Sequence, residues 1–233
     1  MRRILLLAVI SAAVAAIAAG PAAATNECRG LQVCVRVAGP WVVVPSGLAA
    51  PRARVDYQLS CPRGFVIGGL DAQLTDPAIA LEFGGKLGSP VNPGVTTSRS
   101  ALFRATYAGS SPRAPTFRPN LGCVPSAGGG SGPVPLRIPE TFPPGEPAIR
   151  RVRNVRLHQG NLHVLAACAA GERLLSSWDA IGFMTAAPPS AADVRSIHVT
   201  RSLHAGRVEV RVRAGVAAFH AVVQVGVVCG GGS

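Results

Sequence analysis

Histidine is the residue type in this chain that most invites a metal hypothesis, because all five histidines lie in its second half. His158 and His163 flank Gly160 and Asn161, which suit a two-residue turn. A hairpin with that turn would place both imidazoles side by side, a geometry that could hold Zn²⁺ or Cu²⁺. No third ligand follows at a characteristic spacing, so the metal site stays a hypothesis and no cofactor is predicted.

Two aspartates occupy similar sequence contexts, since Asp71 and Asp179 each follow a large hydrophobic residue and precede alanine. Repeated carboxylates could be ligands or acids, although an aspartate in such a place more often caps a turn or bonds a buried backbone group. A glycosidase needs two carboxylates in one cleft. These two are expected in separate units, so no catalytic pair is predicted.

Other catalytic and cofactor motifs are missing from the sequence. It contains no Gly-x-Ser-x-Gly elbow and no Gly-x-Gly-x-x-Gly between a strand and a helix. The basic run from 150 to 156 would divide its guanidiniums between two faces of a strand. Because aromatic residues for base stacking are few, specific nucleic-acid binding is not predicted either.

The N-terminus has the three parts of a cleavable signal peptide. Arg2 and Arg3 form the positive region, residues 4–18 are apolar, and the small residues at 22–24 suit cleavage before Thr25. No later apolar stretch is long enough to span a membrane. The sequence therefore predicts a signal peptide over 1–24 and a secreted mature chain.

The remaining chain shows an internal duplication. Setting Cys61 against Cys168 aligns Cys-Pro-Arg-Gly with Cys-Ala-Ala-Gly, and one residue of slack then brings Asp71 onto Asp179. The second cysteines, Cys123 and Cys229, follow at nearly equal spacing. The predicted organisation is a first repeat over 25–124, a Gly-rich linker over 125–131 and a second repeat over 132–233.

The duplication selects the disulfides among the six cysteines. A bond that belongs to the repeat must occur in both copies, which gives Cys61–Cys123 and Cys168–Cys229. Cys28 and Cys34 are left to close a short N-terminal loop. An even number of cysteines in an exported chain is typical of a disulfide framework.

Hydrophobic residues alternate with period two through both repeats, which predicts strands. The clearest case is a hairpin over 197–213 turning at Ala205-Gly206, in which Leu203 faces Val208 and Arg201 alone breaks the apolar face. A short helical turn is predicted near 190–194. The fold class is therefore all-β, with two tandem disulfide-bridged units that are sandwich-like.

Basic residues outnumber acidic ones by 23 to 11. In the predicted hairpin Arg207, Arg211 and Arg213 alternate with valines and would lie on the solvent side of the sheet. Such a surface could attract an anionic polymer of the cell envelope.

Two resemblances follow from these residues. A strand cysteine followed about ten residues later by Trp178 and about 60 residues later by a second cysteine resembles the immunoglobulin-type sandwich, in architecture only. The Cys-Pro-x-Gly segment before Phe65 also resembles modules of uncharacterised secreted proteins from high-GC bacteria. That resemblance implies export without implying a reaction.

The leading hypothesis is a secreted, non-enzymatic protein that binds an envelope polymer or a protein partner. One alternative is an extracellular hydrolase or metal-binding protein whose site uses His158, His163 and carboxylates. Another is a structural envelope component. The sequence does not specify an oligomeric state.

Overall fold

A computed structural model describes residues 28–29, 33–46, 53–84, 99–110, 114–126, 149–204, 206–215 and 220–230 of the 233-residue chain. Within these ranges almost all regular structure is β, so the predicted all-β class is confirmed. The strands are β1 Val35–Ala38, β2 Trp41–Val43, β3 Arg54–Ser60, β4 Phe65–Leu74, β5 Ile79–Gly84, β6 Ser100–Tyr107, β7 Thr116–Pro125, β8 Ile149–Arg156, β9 Gly160–Ala167, β10 Arg173–Phe183, β11 Ile197–His204, β12 Arg207–Ala214 and β13 Ala221–Gly230.

The described helix, α1, spans Ala191–Arg195 and lies where a helical turn is predicted. Ser190 caps its first turn, and the Asp193 side chain bonds back to the Ser190 backbone in a capping box. This explains why a chain of β-branched and small residues forms a helical turn here.

One antiparallel sheet runs through both halves of the chain. In its first half β7 pairs with β4 along one edge and with β1 and then β2 along the other. In its second half β13 lies between β10 and β8. The two halves meet where β2 pairs with β10.

Two three-stranded sheets cover this large sheet. We call the described residues from 33 to 126 the first unit and those from 149 to 230 the second unit. The small sheet of the first unit has the order β3-β6-β5, and that of the second unit has the order β9-β12-β11. The same pairing order thus occurs twice, which supports the predicted duplication.

The registers of the large sheet show a structural equivalence that differs from the sequence alignment. Asp71 lies opposite Asn120, three residues before Cys123, and Trp178 lies opposite Gly226, three residues before Cys229. Trp178 therefore takes the place of Asp71. Because side chains alternate between faces, Asp71 and Asp179 point to opposite sides of their strands. The one-residue gap that aligned Asp71 with Asp179 was therefore wrong for this segment. β4 and β10 each carry a register irregularity at the same distance from Cys61 and Cys168, so the two strands match without a gap.

Each unit has its own hydrophobic core between a small sheet and the large sheet. Phe103, Phe117 and Leu121 are fully buried in the first core, and Val210 and Val223 in the second. Two residues pack in the core of the other unit. Trp41 of the first unit packs in the second core, and Ala180 of the second unit packs in the first core. The cores are thus distinct but adjoining.

A buried amide joins the units a second time. Gln224 of β13 is fully buried, and its NH₂ group donates to the Gln58 carbonyl oxygen and to Asn154 Oδ1, both at 2.9 Å. The Gln224 oxygen accepts from the Gln58 backbone N–H at 2.6 Å and from the Trp178 indole N–H at 3.2 Å. The Gln224 side chain therefore supplies hydrogen-bond partners to the backbone N–H and carbonyl groups of Gln58, on the edge strand β3, across the boundary between the units.

Three disulfides are present, and they are the pairs that the spacing predicts. Cys61–Cys123 and Cys168–Cys229 each tie a small sheet to the large sheet. Closing loops of this length stabilises a chain by about 4 kcal/mol on chain-entropy arguments. Such bonds persist in oxidising compartments.

The predicted hairpin is confirmed in register, with Leu203 opposite Val208. Leu203 is nevertheless 62% exposed, because it lies near the turn end of the hairpin, one residue before the end of β11. The predicted signal peptide and most of the predicted linker lie outside the described residues. Ser126, within the predicted linker, donates hydrogen bonds from its backbone N–H and its hydroxyl group to the Gly64 carbonyl oxygen.

Candidate functional site

The outer face of the second unit's small sheet carries the predicted arginines. Along β12 the valines are buried and Arg207, Arg211 and Arg213 are exposed. β9 and β11 flank β12 on either side, so their outward residues extend the same surface. We call this surface the cationic face, and it comprises Asn161, His163, Leu165, Ala167, His198, Thr200, Ser202, His204, Arg207, Glu209, Arg211 and Arg213.

Three histidines lie on this face beside the arginines. In the register, His198 lies opposite Arg213 and His204 opposite Arg207. His163 lies opposite Arg211 on the other side of β12. The imidazoles of β9 and β11 therefore lie on either side of the guanidiniums of β12, on one sheet surface.

Glu209 compensates part of the positive charge of the cationic face. Its carboxylate lies 2.9 Å from His163 Nε2 and accepts a hydrogen bond from Arg211 Nε. The Arg211 hydrogen bond is the main reason that the pKa of Glu209 is lowered. Arg211 is thus compensated locally, whereas Arg207 and Arg213 have no carboxylate partner among the described residues.

The hairpin proposed for His158 and His163 is not formed. β8 belongs to the large sheet and β9 to the small sheet, and Gly160 is the first residue of β9 rather than part of a turn. His158 lies in the connection between the sheets, while His163 pairs with Arg211. The prediction was wrong here because the chain crosses from one sheet to the other instead of returning beside itself.

The described residues contain one group with the proximity of metal ligands, made by Cys168, Glu172 and Cys229. The two sulfur atoms are joined in a disulfide, so they offer no thiolate. Glu172 instead binds Arg151 through both carboxylate oxygens, which lowers the pKa of Glu172. This group is structural.

A second polar feature lies where the units meet. A cleft of about 440 Å³ runs along β10, and its charged lining residues are Arg54, Asp56, Asp179 and Arg201. Burial raises the pKa of both aspartates, although arginines beside them act in the opposite direction. Two carboxylates therefore share one cleft, but one of them is Asp56 instead of Asp71.

Sequence reasoning missed Asp56, since nothing local distinguishes it from a solvent-facing residue of a strand. The sequence did contain a signal for the ion pair between Arg201 and Asp179, because Arg201 breaks the apolar alternation of β11. Its guanidinium lies 3.2 Å from Asp179 Oδ1 and donates to the Ser177 carbonyl oxygen. A charged residue at an apolar position of the alternation thus marked a partly buried partner.

Within the described residues, no helix has both the length and the hydrophobicity needed to cross a bilayer.

The chain matches no protein-family model, and no curated protein or solved structure is significantly similar to it.

Proposed function

We propose that this protein is exported, has no catalytic role, and binds an anionic polymer of the cell envelope through the cationic face. The signal-peptide pattern at 1–24 and the three disulfides support export. The repeated pairing order supports two tandem modules, of which the second presents this face.

The observation that carries the proposal is the charge of an exposed sheet surface. Three guanidiniums face solvent against one carboxylate, and the pKa of that carboxylate is lowered, so it stays charged at neutral pH. In the first unit the equivalent surface differs. There Asp56 and Glu82 flank Arg104 in the register, and Gln58 is bonded to the second unit.

The β12 alternation itself favours a surface role over a folding role. Val208, Val210 and Val212 supply the core contacts, so the core does not need the arginine side chains, which are exposed to solvent. Attraction to a polyanion is stronger at low salt, because binding releases counterions.

The test compares retention on isolated bacterial cell walls rich in phosphate polymers, and elution from a cellulose phosphate resin. The R207S/R211S/R213S variant should elute at clearly lower salt than the unaltered protein, with a salt slope smaller by about one for each lost phosphate contact. The matched control is R63S/R153S/R195S, which removes the same charge from exposed positions elsewhere.

Equal weakening in both variants would show that only net charge matters, and unchanged retention of R207S/R211S/R213S would reject the face. Within the trio we expect R211S to have the smallest effect, because Glu209 already compensates Arg211.

A further inference from the structure

The positive charge of the cationic face is not continuous along β12. In the middle of the strand, Glu209 accepts a hydrogen bond from Arg211 and lies 2.9 Å from His163 Nε2. Because the pKa of Glu209 is lowered, chiefly by the Arg211 hydrogen bond, its carboxylate is charged at neutral pH and compensates Arg211. The half-exposed Leu165 lies opposite Glu209 on β9. The middle of the face is therefore compensated and partly apolar.

The uncompensated charge lies near the two ends of β12. Arg207 is the first residue of the strand and is exposed, with His204 of β11 opposite it. Arg213 is the last residue but one and is also exposed, with His198 opposite it. Neither arginine has a carboxylate partner within the part of the chain that the structure describes. We call Arg207 with His204 the turn pole, and Arg213 with His198 the far pole.

The two poles are too far apart for one small anion to bind both. From Arg207 to Arg213, β12 pairs with β9 and with β11 without a register shift, so the strand is regular between the poles. Six residues of a regular strand cover about 20 Å, at about 3.3 Å per residue. Exposed charges are largely screened beyond about 8 Å at physiological ionic strength. Each pole is therefore a separate, weak site for one anionic group.

A ligand that reaches both poles gains affinity from its length. At each pole a guanidinium fork and an imidazole N–H can donate to the oxygens of one phosphate group. Once one phosphate is bound, the second contact forms within the complex, at an effective concentration set by the chain between the phosphates. That concentration is near zero for a ligand too short to span the two poles.

We infer that the cationic face selects its ligand by length, and that it binds an unbranched phosphate polymer that reaches from the turn pole to the far pole across the compensated middle. This inference rests on the proposed binding of an anionic envelope polymer.

The test titrates the purified protein, with its disulfides intact, with a ladder of synthetic glycerol phosphate oligomers from two units to twelve. Amide chemical shifts at physiological salt give the dissociation constants, including those of weak complexes. In the unaltered protein the dissociation constant should fall at least tenfold where the extended oligomers first reach about 20 Å, and the shifts should then include both ends of β12.

R207S and R213S each remove one pole and leave the other. In either variant the fall in the dissociation constant should disappear, so that the longest oligomer binds about as weakly as the shortest. Affinity for the shortest oligomer should change by no more than about twofold, because one of two similar separate sites is lost. R63S is the matched control, since it removes one charge from an exposed position of the first unit and should keep the length dependence. E209Q/R211S, which removes both charges from the middle, should keep it too.

The other results separate this inference from the proposed function. A smooth rise of affinity with length, which R207S lowers equally for short and long oligomers, would overturn length selection and leave polyanion binding by the face intact. Length dependence that survives in R207S or R213S, or that is lost in R63S, would also overturn length selection. If the unaltered protein binds no oligomer of any length, the proposed function fails and length selection fails with it.

Discussion

Asp56 and Asp179 are the residues whose environment differs most from what their strands would suggest. Each lies on a strand in a cleft, each has an arginine within 3.2 Å, and burial still raises the pKa of both carboxyl groups. Desolvation of the charged form therefore outweighs the attraction of the guanidiniums. At neutral pH these two carboxylates therefore cost the folded state some stability despite their arginine partners.

This balance predicts an unusual pH dependence of stability. An aspartate whose folded pKa exceeds its unfolded value of about 3.9 binds its proton more readily in the folded state. The free energy of unfolding should therefore rise as pH falls from 7 through the raised pKa values, and this gain should level off below about 3.9. Urea unfolding midpoints between about pH 7 and pH 4 should show this rise in the unaltered protein and not in D56N/D179N.

Glu172 gives the opposite sign and serves as the control. Its pKa is lowered by the hydrogen bond from Arg151, so its contribution to stability is present above the unfolded pKa and is lost in stronger acid. E172Q should change the pH dependence only below about pH 4.3. An identical slope for the unaltered protein and D56N/D179N between pH 7 and pH 4 would contradict the raised pKa values.

At the scale of elements, the β3 edge strand is completed by a side chain instead of another strand. Gln224 supplies an acceptor and a donor to the backbone of Gln58, whose strand pairs on its other side with β6. An amide used in this way lets a small sheet end against another unit without leaving buried backbone groups unpaired.

Replacing this amide should be strongly destabilising. Q224A leaves the backbone groups of Gln58 and the indole N–H of Trp178 without partners in a buried place. We expect a loss of about 2–4 kcal/mol in the free energy of unfolding, measured by urea denaturation with the disulfides intact. Q73A, at a partly exposed position of β4, should change it by no more than about 0.5 kcal/mol. Equal effects of the two substitutions would show that the Gln224 bonds add nothing.

At the scale of the whole molecule, the two units use equivalent sheet surfaces differently. In the first unit the boundary with the second unit is formed by the edge of β3, which supplies the Gln58 backbone, and by Asp56, which lines the cleft there. The corresponding face of the second unit remains open and carries arginine and histidine. The outer surface of the second small sheet is thus exposed, whereas the first small sheet takes part in the boundary between the units.

The histidines of the cationic face lie beside its arginines. His198 and His204 face Arg213 and Arg207, and His163 lies between Arg211 and Glu209.

The sequence by itself determined the properties that depend on local periodicity and on cysteine spacing. The alternation in Arg207–Ala214 predicted which side chains face solvent, and the matched cysteine intervals predicted both long disulfides. Strand type and side-chain face are local properties of the chain, so a period of two is sufficient to show them.

Only the tertiary structure decided how the units join and which carboxylates share a cleft. Gln58 and Gln224 are 166 residues apart, and no local pattern encodes their contact. The path of the chain after β8 also depends on which sheet offers a partner strand, which is why the expected turn beside His158 does not exist. Pairing between distant strands is set by the packing of whole faces, and this packing brings Asp56 of β3 and Asp179 of β10 to the lining of one cleft.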